Sequence, residues 1–172
     1  MKMLYTIGYE GTTLDDFLMT LRQTGVTLLL DIREVPISRR KGFSKSALKQ
    51  AVEAVKIDYR HEKRLGSPKA IRNQLHSDQD YDVFFDHFRD YLETQTDLLH
   101  ELAHQLTGKV ALMCYERDPQ TCHRQVVACI LADLTGLSPQ HLGVQKGYGA
   151  RRPKTAARVD SGQSLPSSKP AL

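Results

Sequence analysis

No apolar run in this sequence approaches the roughly 18 residues that a membrane-spanning helix needs. The longest, "VTLLL", is broken at once by Asp31. The N-terminal stretch "MKMLYTIGYEG" carries one lysine and no apolar segment long enough for a secretory leader, so a cytoplasmic protein with no membrane association is expected. Cysteine is also scarce. Three thiols cannot all pair with one another, which fits a reducing compartment. At 172 residues the chain has room for one domain and a tail, and its 40% hydrophobic content suits a core diluted by a polar appendage.

That appendage is expected at residues 146–172, where "KGYGARRPKTAARVDSGQSLPSSKPAL" has almost no bulky apolar residues. Such a segment buries too little surface to offset its ordering entropy, so a disordered basic tail is expected. Lys146, Arg151, Arg152, Lys154, Arg158 and Lys169 face only Asp160 there, and the whole chain is +4. The body, residues 1–145, is therefore close to neutral. It lacks the basic surface of a nucleic-acid domain; the tail is open to two readings, contact with RNA, DNA or acidic partners through counterion release, or a solubilising terminus.

Several catalytic signatures are missing too. The sixth position after Cys114 is Gln120, so there is no Cys-x5-Arg phosphate loop. Cys114 and Cys122 lie eight positions apart with only His123 added, which is not the usual spacing of a structural metal site, and no metal ligands are expected. His100 and His104 have the i, i+4 spacing of a metal pair but no glutamate in the HExxH position, which favours a helix surface.

What remains is a regular alternation of short apolar runs and helical patterns. Strands are expected at "MLYTIG" (3–8), "VTLLLDI" (26–32), "IDYRH" (57–61), "KVALMC" (109–114) and "QHLGV" (140–144). Between them lie a helix capped by Thr12 or Thr13 and stopped by Gly25, with Leu14, Phe17, Leu18 and Leu21 on one face, and a second helix capped by Ser44 or Ser46. Residues 62–80 read as irregular with one short helix, followed by a single long helical stretch from about Tyr81 to Leu106. The last helix is expected to start at Asp118-Pro119, with Val126, Val127, Ile130, Leu131 and Leu134 inward and Gly136 as stop. This order implies an α/β fold: a mostly parallel, Rossmann-like three-layer sheet of about four or five strands with helices on both faces.

Such sheets bind ligands beyond the carboxyl ends of their strands. The candidate residues follow from that rule. Gly8 ends the first strand, Asp31 and Arg33 the second, and Cys114 and Glu116 the fourth. The loop after the second strand adds Ser38, Arg39, Arg40 and Lys41, residue types that suit oxyanion recognition. Cys122, His123 and Arg124 are placed in the first turns of the last helix, where a helix N-terminus lowers a thiol's pKa and attracts anions. Adjacent helical residues diverge by about 100°, which argues against direct Cys122–His123 contact. Asp31, Glu116, Cys122 and His123 are the candidate catalytic groups, with an Asp31–Arg33 pair at the strand end and Cys122 as a small core residue as the structural alternatives. Gly8, Arg33, Ser38, Arg39 and Arg124 are the candidate ligand-binding groups. The expected function is binding of, or action on, a small anionic ligand, phosphorylated or nucleotide-like. A nucleic-acid-associated protein and a thiol or metal redox protein are the alternatives. The sequence names no cofactor.

Four segments in order, "YTIGYEG", "LLDIREVPISRRKGF", "RLGSP" and "ALMCYERDPQTCHRQVVA", resemble the domain-of-unknown-function family 488 over about residues 3–144. The resemblance implies a compact α/β domain. By position it marks Gly8, Asp31, Arg33, Pro36, Ser38, Phe43, Leu65, Gly66, Cys114, Glu116, Cys122, His123 and Arg124. This chain has Ser67 where the family often has a second glycine.

Overall fold

The computed structural model describes residues 1–149. Five strands form one sheet in the order β3-β2-β4-β1-β5, every pair parallel. They are β1 (Met3–Gly8), β2 (Leu28–Asp31), β3 (Asp58–His61), β4 (Lys109–Cys114) and β5 (Gln140–Leu142). Helices α1 (Leu14–Thr24) and α2 (Lys45–Ala54) cover one face. Helices α4 (Tyr81–Glu93), α5 (Thr96–Gln105) and α6 (Arg124–Thr135) cover the other, and the short α3 (Lys69–Asp78) precedes α4. The expected three-layer α/β architecture is what the chain adopts.

Strand alternation decides which side chain meets which layer. Leu4, Val110, Leu112 and Leu30 enter the core under α4–α6. Tyr5, Ile7, Ala111, Met113 and Leu29 enter the core under α1 and α2. Cys114 continues the 110, 112 series, so it faces the α6 layer.

Local chemistry sets the helix ends. Thr13 is the N-cap of α1, accepting from the Asp16 N–H at 3.2 Å, and Gly25 closes the helix at φ 74°. Ser44 stands at the N-cap of α2 but turns its hydroxyl into the preceding loop, donating to the Ser38 carbonyl at 3.2 Å and accepting from the Ser38 N–H at 3.1 Å.

Three expectations need correction. The stretch 81–106 is two helices, because the Thr94 hydroxyl donates to the Tyr91 carbonyl and the Thr96 hydroxyl to the Glu93 carbonyl, taking up helix acceptors at the break. The last helix does not start at Asp118. Asp118 and Pro119 begin a three-residue 3-10 turn, Cys122 is extended at φ −124° and ψ 135°, and α6 begins at Arg124. On α6, Ala128 is buried instead of Leu134, which is exposed.

Folded contacts also run past residue 145. The Gly147 and Gly149 N–H groups donate to the Asp16 carboxylate at 3.1 and 2.7 Å. The rest of the expected tail, 150–172, lies outside the described residues. Among the described residues no helix is long and apolar enough to cross a membrane.

Candidate functional site

Parallel register brings the strand ends to one level. Gly8 pairs with Cys114, and Asp31 pairs with Met113 on one side and His61 on the other. The chain leaving β1 goes to the α1 face and the chain leaving β4 goes to the α6 face, so a crevice opens at this rim.

Beneath the rim lies a buried ion pair. Arg33 donates through Nε and Nη2 to both carboxylate oxygens of Asp31, at 2.8 and 2.6 Å, and through Nη1 to the Tyr9 hydroxyl and the Phe43 carbonyl. Tyr59 donates to the same carboxylate at 2.6 Å. Burial and this bond push the Tyr59 phenol up. Burial would push the guanidinium pKa of Arg33 down, but its bond to Asp31 drives it up. Asp31 is fully buried and Arg33 is 5% exposed. Every nitrogen of Arg33 is therefore engaged, and Asp31 has its oxygens occupied. In this structure the Asp31–Arg33 pair fixes the start of the loop after β2.

Arg124 is similarly committed. Its Nε donates to Thr6 Oγ1 at 3.3 Å, Nη1 to the Glu116 carbonyl, and Nη2 to the Arg117 carbonyl at 3.1 Å. It is 1% exposed and clamps the loop after β4 onto α6. Gly8 makes this possible. A Cβ on Gly8 would sit 1.8 Å from the Glu116 carbonyl oxygen and 3.1 Å from Arg124 Nη1, so glycine is required for close approach of β1 to that loop.

Clamped in this way, four side chains converge. Ligating atoms of Cys114, Glu116, Cys122 and His123 all lie within 4.8 Å of one another. The Cys114 thiol donates to Glu116 Oε2 at 2.9 Å. His123 Nδ1 lies 3.5 Å from Cys114 Sγ and 3.9 Å from Cys122 Sγ, and its Nε2 contacts the Ile32 carbonyl at 3.2 Å. Phe88 packs edge-on against the imidazole at 5.3 Å.

The direct Cys122–His123 contact that helical geometry disfavours exists because Cys122 is extended. The same fact removes the expected thiolate, since Cys122 sits outside the helix end. Burial pushes the Cys114 thiol up and the Cys122 thiol well up. Cys122 is thus a buried thiol whose pKa is pushed well up, which weighs against a free thiolate there. Burial would also raise Glu116, but the Cys114 thiol and the His123 ring bring it below the usual carboxylate range. Burial opposes protonation of His123, while Cys122 and Glu116 favour it, and the net direction is up.

A family model described as "Domain of unknown function DUF488" matches residues 13–131. The chain belongs to the DUF488 family. No curated protein matches it, and neither does any solved structure. The matched span of this DUF488 protein holds every candidate site residue except Gly8.

Above the four-residue cluster lies a cleft of about 810 Å³. Glu116 and His123 stand at its floor. Arg39, Arg40 and Lys41 line one wall, with Ser38 among them, and Tyr9, Tyr115, Ser67 and Arg72 also face it. Arg39, Arg40 and Lys41 make no ion pair among the described residues. Ser38 shapes this loop, its hydroxyl accepting from the Arg40 N–H at 3.1 Å. Of the expected residues, Ser38, Arg39, Glu116 and His123 border the cleft, while Gly8, Asp31, Cys122 and Arg124 lie behind it. Arg33 touches it only with an occupied guanidinium.

Among the cleft residues that sequence reasoning did not name as candidates are Ser67 and Arg72. Ser67 is 2% exposed, and its Oγ is the one buried side-chain polar atom without a partner among the described residues. Its signal was the departure from glycine after "LG". Arg72 pairs with Glu34 and donates to the Ser67 carbonyl. Lying on α3, in a segment read as mostly irregular, it had no signal.

Proposed function

We propose that this DUF488 protein binds a small anionic ligand, phosphorylated or nucleotide-like, in the cleft beyond β1, β2 and β4. The observation that carries this reading is the row Arg39, Arg40 and Lys41, three cations without acidic partners on one wall of a concave site. Guanidinium and ammonium groups so placed suit a phosphate or carboxylate. The unpartnered Ser67 hydroxyl adds a donor. Tyr115, 46% exposed and packed edge-on against Tyr9 at 5.3 Å, offers an aromatic surface to a base or other flat group. Glu116 and His123 at the floor are the groups positioned to exchange a proton with such a ligand.

Thermal shift and calorimetry across nucleotides and phosphorylated metabolites test this. At least one compound should raise Tm, by an amount equivalent to about 2.7 kcal/mol at a hundred times its Kd. The double variant Arg39→Ala, Lys41→Ala, which alters only exposed side chains, should remove that shift while melting normally when unliganded. Undiminished binding by the double variant, or no shift from any compound, would overturn the reading.

A further inference from the structure

We infer that Cys114, Glu116, Cys122 and His123 form a binding site for one divalent transition metal of the zinc class. The inference goes beyond the anion-binding reading and stands without it; with the metal bound, Glu116 and His123 are its ligands and the proton exchange assigned to them applies only to the metal-free protein.

The donor set is two sulfurs, one imidazole nitrogen and one carboxylate oxygen, a combination that suits a borderline-soft ion. Tetrahedral coordination at the usual bond lengths of about 2.0–2.3 Å leaves ligand atoms roughly 3.2–3.8 Å apart. The structure gives 2.9 Å for Cys114–Glu116, 3.5 Å for Cys114–His123 and 3.9 Å for Cys122–His123. Side-chain movements of less than an ångström would bring these into a coordination sphere.

Three further features match how proteins prepare metal ligands. His123 Nε2 meets the Ile32 carbonyl, so the ring proton belongs there and the Nδ1 lone pair faces both sulfurs. Such an outer hydrogen bond fixes the tautomer of a ligating histidine. The Arg124 N–H points at Cys122 Sγ at 3.5 Å, a donor placed to support a thiolate. Finally, Arg124 is a buried cation in contact only with neutral acceptors, Thr6 Oγ1 and two carbonyls, and makes no ion pair among the described residues. Burying an uncompensated charge is costly. A divalent ion held by two thiolates and a carboxylate carries net negative charge and compensates it. Binding releases the two thiol protons as both metal–sulfur bonds form. Because Glu116 and His123 also border the cleft, the ion lies within reach of a ligand there.

The test uses the full chain and the metals alone. Protein from zinc-supplemented expression should retain about one zinc per chain by elemental analysis. Exchange with Co²⁺ should give thiolate-to-cobalt absorption, weakened in Cys114→Ser and in Cys122→Ser, absent when both are replaced, and unchanged in Cys129→Ser, whose thiol is exposed and outside the cluster. Glu116→Ala, at a half-buried loop position, should fold normally and bind Co²⁺ at least roughly tenfold more weakly, the lower end of what supporting groups alone contribute. It decides the matter if the cysteine variants do not fold. Three results would overturn the inference: substoichiometric metal, unchanged cobalt affinity in Glu116→Ala, or a Cys114–Cys122 disulfide in protein isolated without reductant. The Arg39→Ala, Lys41→Ala variant should hold its full metal content, which separates this site from the anion-binding reading.

Discussion

Two buried arginines carry much of the burden of holding the rim, and they do so differently. Arg33 has a carboxylate partner inside the protein, and removing one member of a buried pair leaves the other charge stranded. Asp31→Ala should therefore lose about 3–5 kcal/mol in urea or guanidinium unfolding. Tyr59→Phe removes one hydrogen bond to the same carboxylate and should lose only about 1 kcal/mol. Comparable losses for the two would mean that the ion pair does not organise this region. Gly8 is the third such residue. With a Cβ 1.8 Å from the Glu116 carbonyl, Gly8→Ala must push the loop after β4 off its clamp. It should destabilise by about 1–3 kcal/mol, as overpacking does, and weaken Co²⁺ binding at a cluster it does not touch.

At the level of elements, the strands and their order in the chain were legible because both faces of the sheet are covered, which leaves near-continuous apolar runs such as "LLLD" and "KVALMC". Helix α1 was legible from Thr13 and Gly25. The break at Thr94 was not, since threonine hydroxyls end helices there without glycine or proline. The start of α6 was misread for a related reason. Asp118-Pro119 is a genuine cap, but of a 3-10 turn, and nothing in the local pattern says that Cys122 turns extended to meet Cys114. The cluster arises from that one backbone reversal, so sequence spacing alone argued against it. The clasp between residues 147–149 and α1 was also unreadable, because it depends on backbone N–H groups meeting a carboxylate 131 or more positions away. It makes a pH prediction. The Gly149 N–H, with Gly147 and Thr13, lowers the Asp16 pKa below 3.8 against a smaller opposing effect of burial. A lowered folded-state pKa contributes stability above the unfolded value, and that contribution is lost as pH falls through the folded one. Amide exchange at Gly147 and Gly149, taken relative to the intrinsic rate of each amide at the same pH, should stay slow down to about pH 4 and accelerate below it. In Asp16→Ala it should be fast at every pH, and acid-insensitive protection in the wild type would rule the clasp out.

For the molecule as a whole, charge is divided between two places that do not need each other. The body is near neutral overall but concentrates Arg39, Arg40 and Lys41 on one wall of a cleft. The remaining cations of the C-terminal segment, Arg151, Arg152, Lys154, Arg158 and Lys169, lie beyond the described residues. A small anion held in a concave site is recognised by donors at fixed positions. A polyanion is held by the number of cations, with an affinity that falls steeply as added salt lessens the gain from counterion release. Deleting residues 150–172 separates the two. The truncated chain should keep the ligand-induced Tm shift of the full chain, because every cleft residue is retained and the Gly149 contact with Asp16 is preserved. Any binding to single-stranded or duplex nucleic acid at low salt should fall by at least tenfold, with a shallower dependence on salt concentration. If truncation instead abolishes the small-anion shift, the cations that matter are those of the tail and the cleft wall is an ordinary solvated loop. If nucleic-acid binding survives truncation and vanishes in Arg39→Ala, Lys41→Ala, the cleft is a strand-binding groove, and the ligand is a polymer rather than a metabolite.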